Sequence, residues 1–153
     1  MDPKERIMPD ALAIVATIDP ANVTDTDSDY IPVKDFHQLL AILLTGNMSA
    51  HAIDFFCYAY TDAIGSNEHE VMSTTQLAAD ASLNDNAQAV LSVRNEDVQA
   101  CGRANFHEFT HVRFTVVSGS QTGYSAVVVL GQPRYGKASD HNHPRVRMGC
   151  KTP

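Results

Sequence analysis

FHEFTHVRFTVVSGSQTGYSAVVVLG, residues 106–131, supports two incompatible readings. His107, Glu108 and His111 spell H-E-x-x-H, the pattern with which a helix presents two zinc-ligating imidazoles and a general base. The same letters run straight into the most strand-like segment of the chain. The choice between helix and strand decides the fold, and with it whether metal chemistry is on offer.

On a helix, positions i and i+4 share a face about 6 Å apart, so both imidazoles reach one zinc. On a strand, at roughly 3.3 Å per residue, the two Cα atoms lie about 13 Å apart. A zinc whose ligand bonds are about 2 Å long is then very hard to hold from both. From Thr110 onward Val112, Phe114 and Val116 point one way, and His111, Arg113 and Thr115 the other. Val112, Thr115, Val116 and Val117 are β-branched and disfavour a helix. The extended protease pattern also needs glycine at position 114 and histidine at 117, where this chain has Phe114 and Val117. No glutamate follows Glu108, which leaves Asp140, His141 and His143 as third-ligand candidates. The strand reading is preferred, and the zinc-hydrolase reading, with His107 and His111 as ligands and Glu108 as base, is the disfavoured alternative.

Outward from this stretch, the chain alternates apolar and polar residues in short runs. Leu12–Ile18 reads as a first strand closed by Asp19-Pro20. Residues 22–33 read as a loop. Phe36–Thr45 has no decisive period, and its neighbour Ala52–Tyr60 favours a strand pairing with it as a hairpin. On that neighbour Ile53, Phe55, Cys57 and Ala59 share one face. Val71–Leu77 reads as a strand, Leu77–Asp85 as one helical turn, and Gln88–Arg94 as a strand. Tyr124–Leu130 is nearly all apolar and belongs at the centre of a sheet, forming a second hairpin with the strand before it. Six to eight short strands without a βαβ rhythm predict an all-β, antiparallel β-sandwich, with a partly closed β-barrel as the alternative. The expected organisation is a polar leader (1–10), a single β domain (11–136) and an extended basic C-terminal arm (137–153).

The 153 residues are enough for one core-forming domain, and 44% hydrophobic with 19% charged residues argues for a folded protein. The longest apolar run, Leu39–Leu44, is far short of a membrane span, so no membrane partner is expected. Cys57, Cys101 and Cys150 are odd in number and lack C-x-x-C spacing, which predicts free thiols in a reducing cytoplasm. The net charge of -7 speaks against nucleic-acid binding, yet it is uneven. Residues 134–153 hold Arg134, Lys137, Arg145, Arg147 and Lys151 against Asp140 alone, leaving -11 for the first 133 residues. A basic segment attached to an acidic body suits an arm that reaches an acidic surface, such as a neighbouring copy.

Asp25, Asp27 and Asp29 alternate as calcium ligands do. An EF-hand loop, however, needs glycine at its sixth position and glutamate at its twelfth, where Tyr30 and Phe36 stand. Asp140, His141 and His143 could share an ion, although so short a segment rarely supplies a whole coordination shell. No phosphate-binding glycine loop and no nucleophile elbow occurs. No catalytic residue, cofactor or metal ligand is therefore assigned, and a structural or binding role is expected.

Two segments carry a resemblance. Asn84-Asp85-Asn86-Ala87-Gln88-Ala89 through Arg94, followed by Glu96-Asp97, resembles a region of small uncharacterised proteins encoded beside the capsid genes of tailed bacteriophages. Val128 to Ser139 (VVLGQPRYGKAS) is similar to their ending, and Ile18-Asp19-Pro20 and Tyr30 to Phe36 echo their opening. The resemblance spans about residues 12–139. Lys137 departs from it, as do the polar extensions, and the family has a strand without paired histidines in place of HEFTHVRFTV. It implies a virion structural protein made in the host cytoplasm, namely a capsid decoration (cement) protein on the outer surface of the head. Its partners would be the major capsid protein and itself, as a homotrimer at local threefold positions. A head-tail connector or tail component is the structural alternative.

Overall fold

The computed structural model describes residues 12–19, 25–48, 52–118, 124–136 and 141–144. Strands β1 (Ala13–Ile18), β2 (Asp25–Asp27), β3 (Ile31–Pro32), β4 (Phe36–Thr45), β5 (Ile53–Tyr60) and β6 (His69–Ser73) come first. A helical turn, α1 (Ala81–Asn84), leads to β7 (Gln88–Arg94), helix α2 (Asn95–Asn105), β8 (His111–Ser118) and β9 (Tyr124–Pro133). One antiparallel sheet has the order β1-β9-β4-β7. The other has the order β2-β8-β5-β6, with β3 also pairing β8. The sheets pack face to face as the expected β-sandwich, and the barrel alternative does not hold.

The strand order carries more than the class. β2 and β3 pair successive parts of β8 and act as one broken edge strand. Counted so, first pairs with last, second with seventh, third with sixth and fourth with fifth, and all pairs are antiparallel. That is the double Greek key of a jelly roll.

This topology corrects both hairpin expectations. β4 and β5 lie in different sheets, as do β8 and β9, so neither pair is a hairpin. Periodicity identifies a strand but is silent on its partner, and adjacency in sequence is only the commonest pairing. The loop expected at 22–33 contains β2 and β3, which are too short to show a period; β2 is polar, while Ile31 of β3 is buried in the core.

The apolar runs supply the core. Leu39, Ala41, Leu43, Val127, Val129, Leu91 and Val93 from one sheet meet Ile53, Phe55, Cys57, Val112, Phe114 and Val116 from the other, all buried. The Phe55 and Phe114 rings lie 6.2 Å apart between the layers. Burial pushes the Cys57 thiol well above its ordinary pKa, with Cys101 adding to the effect; both thiols are free.

Exposed strand edges invite unwanted pairing. Here, among the described residues, each side of the sandwich carries a further segment. Helix α2, which the sequence reading missed, packs against β6 and β7 with Val98 buried beneath it. Asp97 caps it by accepting from the Arg94 backbone N–H at 2.9 Å. On the other side residues 141–144 lie along β1. The Ile14 N–H donates to Asn142 Oδ1 at 2.9 Å, and the His143 N–H donates to the Ile14 carbonyl at 2.6 Å. The His143 ring reaches Asp29 Oδ2 at 3.1 Å, tying this segment to the second sheet. The remainder of the expected arm and leader lies outside the described residues.

Candidate interaction surface

H-E-x-x-H is not helical. Helix α2 ends with Phe106 in the left-handed conformation (φ 60°, ψ 34°), His107 to Thr110 are irregular, and His111 opens β8. His107 packs its ring near His69 (5.5 Å between centroids) and Phe109 (5.8 Å), while His111 Nδ1 lies 2.8 Å from Thr110 Oγ1. His107 thus precedes the strand rather than sharing its face with His111, a correction to the fully extended reading of this segment. Among the described residues no group of three or more His, Cys, Asp or Glu side chains could hold a metal ion.

The two ion-binding candidates meet in part. A cleft of about 350 Å³ is lined by Asp19, Asp27, Asp29 and His143, together with Thr17, Ile18 and Thr26. Within it Asp27 is taken by Arg113 (2.5 Å) and Thr115 (2.6 Å), and Asp29 by His143. Asp140 and the Asp25 side chain lie outside the described residues. His141 turns elsewhere: its Nε2 is 2.7 Å from the Tyr135 carbonyl, and its ring packs on Phe36 at 5.6 Å. A second cleft, about 610 Å³, brings Glu108 and His111 together with Lys34, Asp35, Asn95 and Arg134. Its walls mix both charge signs, so neither a cationic nor an anionic ligand is favoured.

The outer face of the four-stranded sheet is chemically distinctive. Alternation sends Leu39, Ala41 and Leu43 inward and Leu40, Ile42 and Leu44 outward. Across the ladder Leu40 faces Leu130 and Ser92, Ile42 faces Val128 and Val90, and Leu44 faces Ala126 and Gln88. Ile14 on β1 extends the patch beside Leu130. Val90 is 51% exposed, the other apolar members are half-buried, and Gln88 and Ser92 are exposed. Polar groups gather at one end, where Gln38 Nε2 donates to Ser92 Oγ at 2.6 Å and Arg94 is exposed. An apolar centre with a polar rim is the anatomy of a protein-binding patch. The sequence reading places Tyr124–Leu130 at the centre of a sheet but does not foresee the face. Its signal was present in the unbroken runs Leu39–Leu44 and Ala126–Leu130, which write a strand apolar on both sides.

No family model matches the chain, and no curated protein matches it. Among solved structures it is similar to the carbohydrate-binding module TmCBM61 in complex with β-1,4-galactotriose. The identity is 11% and the TM-score 0.34, over 76% of this chain and 70% of that one. It is also similar to the VP2 subviral particle of infectious bursal disease virus, at 12% identity and TM-score 0.35, over 80% of this chain and 33% of that one. A third is xylanase 10C (mutant E385A) of Cellvibrio japonicus in complex with xylopentaose, at 11% identity and TM-score 0.37, covering 76% of this chain and 22% of that one. Likeness at this level carries no information on function.

Proposed function

We propose that the chain is a structural protein of a tailed-phage particle, a decoration protein that binds the outer capsid surface through the apolar face of the β1-β9-β4-β7 sheet. The observation that carries the reading is that face, with Ile42 at its centre between Val128 and Val90. The resemblance to proteins encoded beside phage capsid genes supplies the partner. The acidic body suits an exposed particle surface, where like charge keeps particles apart.

Adhesion of this kind needs no reacting group. By strand spacing and rise, the patch covers on the order of 300 Å² of sheet plane. That is below the roughly 800 Å² per partner of a stable pairwise interface. Binding then rests on many symmetric copies rather than on one strong contact.

Copy number separates this role from the connector alternative. By family-level analogy, a decoration protein is present at about hundreds per particle and a connector at about a dozen. Gel densitometry of purified particles is expected to give the higher figure. A dozen copies at one vertex would replace decoration by connection, and stoichiometric zinc lost on His111→Ala would overturn the structural reading altogether.

A further inference from the structure

The outer face of the second sheet differs in chemistry from the apolar one. On β5 the Phe56 and Tyr58 rings stack at 5.4 Å with planes 28° apart, both half-buried. Tyr58 faces Glu70 on β6 and Arg113 on β8, and Phe56 faces Ser73 and Thr115. Asp54 precedes them on the same face and accepts from Gln76. Asp27 lies on the edge strand β2, opposite Thr115. The Tyr58 hydroxyl is raised in pKa, by burial first and then by the carboxylates of Glu70, Glu68, Asp27 and Asp54. Among the described residues, Arg113 is the cation that the register places on this face. Its guanidinium is already committed to Asp27, the Ser28 carbonyl and Tyr30. Excess negative charge around two aromatic rings recognises Arg or Lys, the carboxylates meeting the charge and the ring faces adding a cation–π contact.

The chain carries such a group. Residues 145–153 contain Arg145, Arg147 and Lys151 and no acidic residue. The described chain reaches Pro144 just after His143, whose ring meets Asp29 beside the edge of this same sheet. Tyr58 is two strands in from β2, about 10 Å. Nine residues reach up to about 30 Å when extended. We propose that the basic segment 145–153 docks on the acidic aromatic face of its own chain, with an arginine over the Phe56–Tyr58 pair. Tethering favours the same chain over a second copy, because a short linker holds its end at an effective concentration of about millimolar. The docking does not depend on what binds the apolar face.

A nitroxide spin label on Cys150 of the full chain, with Cys101→Ser and the buried Cys57 left in place, tests this by NMR. The expected result is selective broadening of the Phe56 and Tyr58 ring signals and the Thr115 amide, unchanged on dilution. Glu70→Lys or Arg147→Glu alone should reduce the broadening several-fold, and the two together should restore it. Glu70 is exposed, and the remaining amide spectrum reports an intact fold in each variant. Absence of broadening, or broadening indifferent to the charge swap, would overturn the proposal. So would transfer of broadening from labelled to unlabelled copies in a mixture, which would assign the face to a second copy.

Discussion

Ile42 and Val128 stand opposite each other across β4 and β9, with both side chains on the outside of the sandwich. In an antiparallel sandwich that side is ordinarily polar, since water satisfies it. Their neighbours Leu40, Leu130 and Val90 repeat the departure across three strands. An apolar surface of this continuity works against solubility, which is why the binding role is proposed for it.

Gly131 on β9 is pressed against a ring. A Cβ there would lie 2.6 Å from Phe36 Cδ1, and Phe36 is itself held between β9 and the His141 ring. Gly131→Ala is expected to lower stability by about 1–3 kcal/mol, the usual cost of overpacking. Urea unfolding monitored by circular dichroism gives the value; an unchanged midpoint would mean that Phe36 moves freely.

Phe106 ends α2 at φ 60° and is 96% exposed. A bulky residue is strained there, and burial of its ring does not compensate. Phe106→Asn is expected to stabilise the fold by about 1 kcal/mol, because asparagine tolerates the left-handed region. Thermal melting checks the direction.

Asp62 and Asp80 are both held below the ordinary carboxylate pKa. In Asp62 the cause is first the Ser66 hydroxyl and then backbone N–H groups; in Asp80 it is the hydroxyl and then the N–H of Ser82. A depressed folded pKa stabilises the fold above the unfolded value of about 3.9 and ceases to do so as pH falls through the lower folded value. Stability should therefore drop more steeply below about pH 4 in the parent than in the Asp62→Asn/Asp80→Asn double variant. Denaturant midpoints compared at neutral and acid pH reveal the difference, and equal slopes would contradict it.

The strands were legible in the sequence where one face is buried and the other wet. Gln88–Arg94 was read to its exact ends, and the inward set Val112, Phe114 and Val116 was placed correctly, because a period of two records burial directly. Pairing was not legible. A jelly roll joins strands far apart in the chain, and nothing local in β4 or β8 names a partner in the other half. Helix α2 escaped notice because its polar face and Gly102 obscure the period, although Glu96 and Asp97 in its first turn mark its start. The apolar outer face was written in two unbroken runs, but it became readable as a surface only once the strands carrying them were found side by side.

The β1 edge is held in part by one side chain. Asn142 Oδ1 accepts from the Ile14 N–H, so Asn142→Ala should free that amide. Loss of a bond worth about 1 kcal/mol predicts roughly fivefold faster hydrogen exchange at Ile14, with core amides such as Val129 unaffected. Uniform acceleration throughout the sheet would instead mean that the segment supports the whole fold.

The docking role of the apolar face is tested most directly by the occupancy of Ile42→Glu on purified capsids lacking the protein, measured against the parent and a Thr115→Glu control on the opposite sheet. Ile42→Glu is expected to fold, with a melting curve close to the parent's, and to lose at least tenfold in occupancy, while the control binds as the parent does. Full occupancy by a folded Ile42→Glu protein, or equal loss in the control, would contradict the assignment of this face to capsid binding.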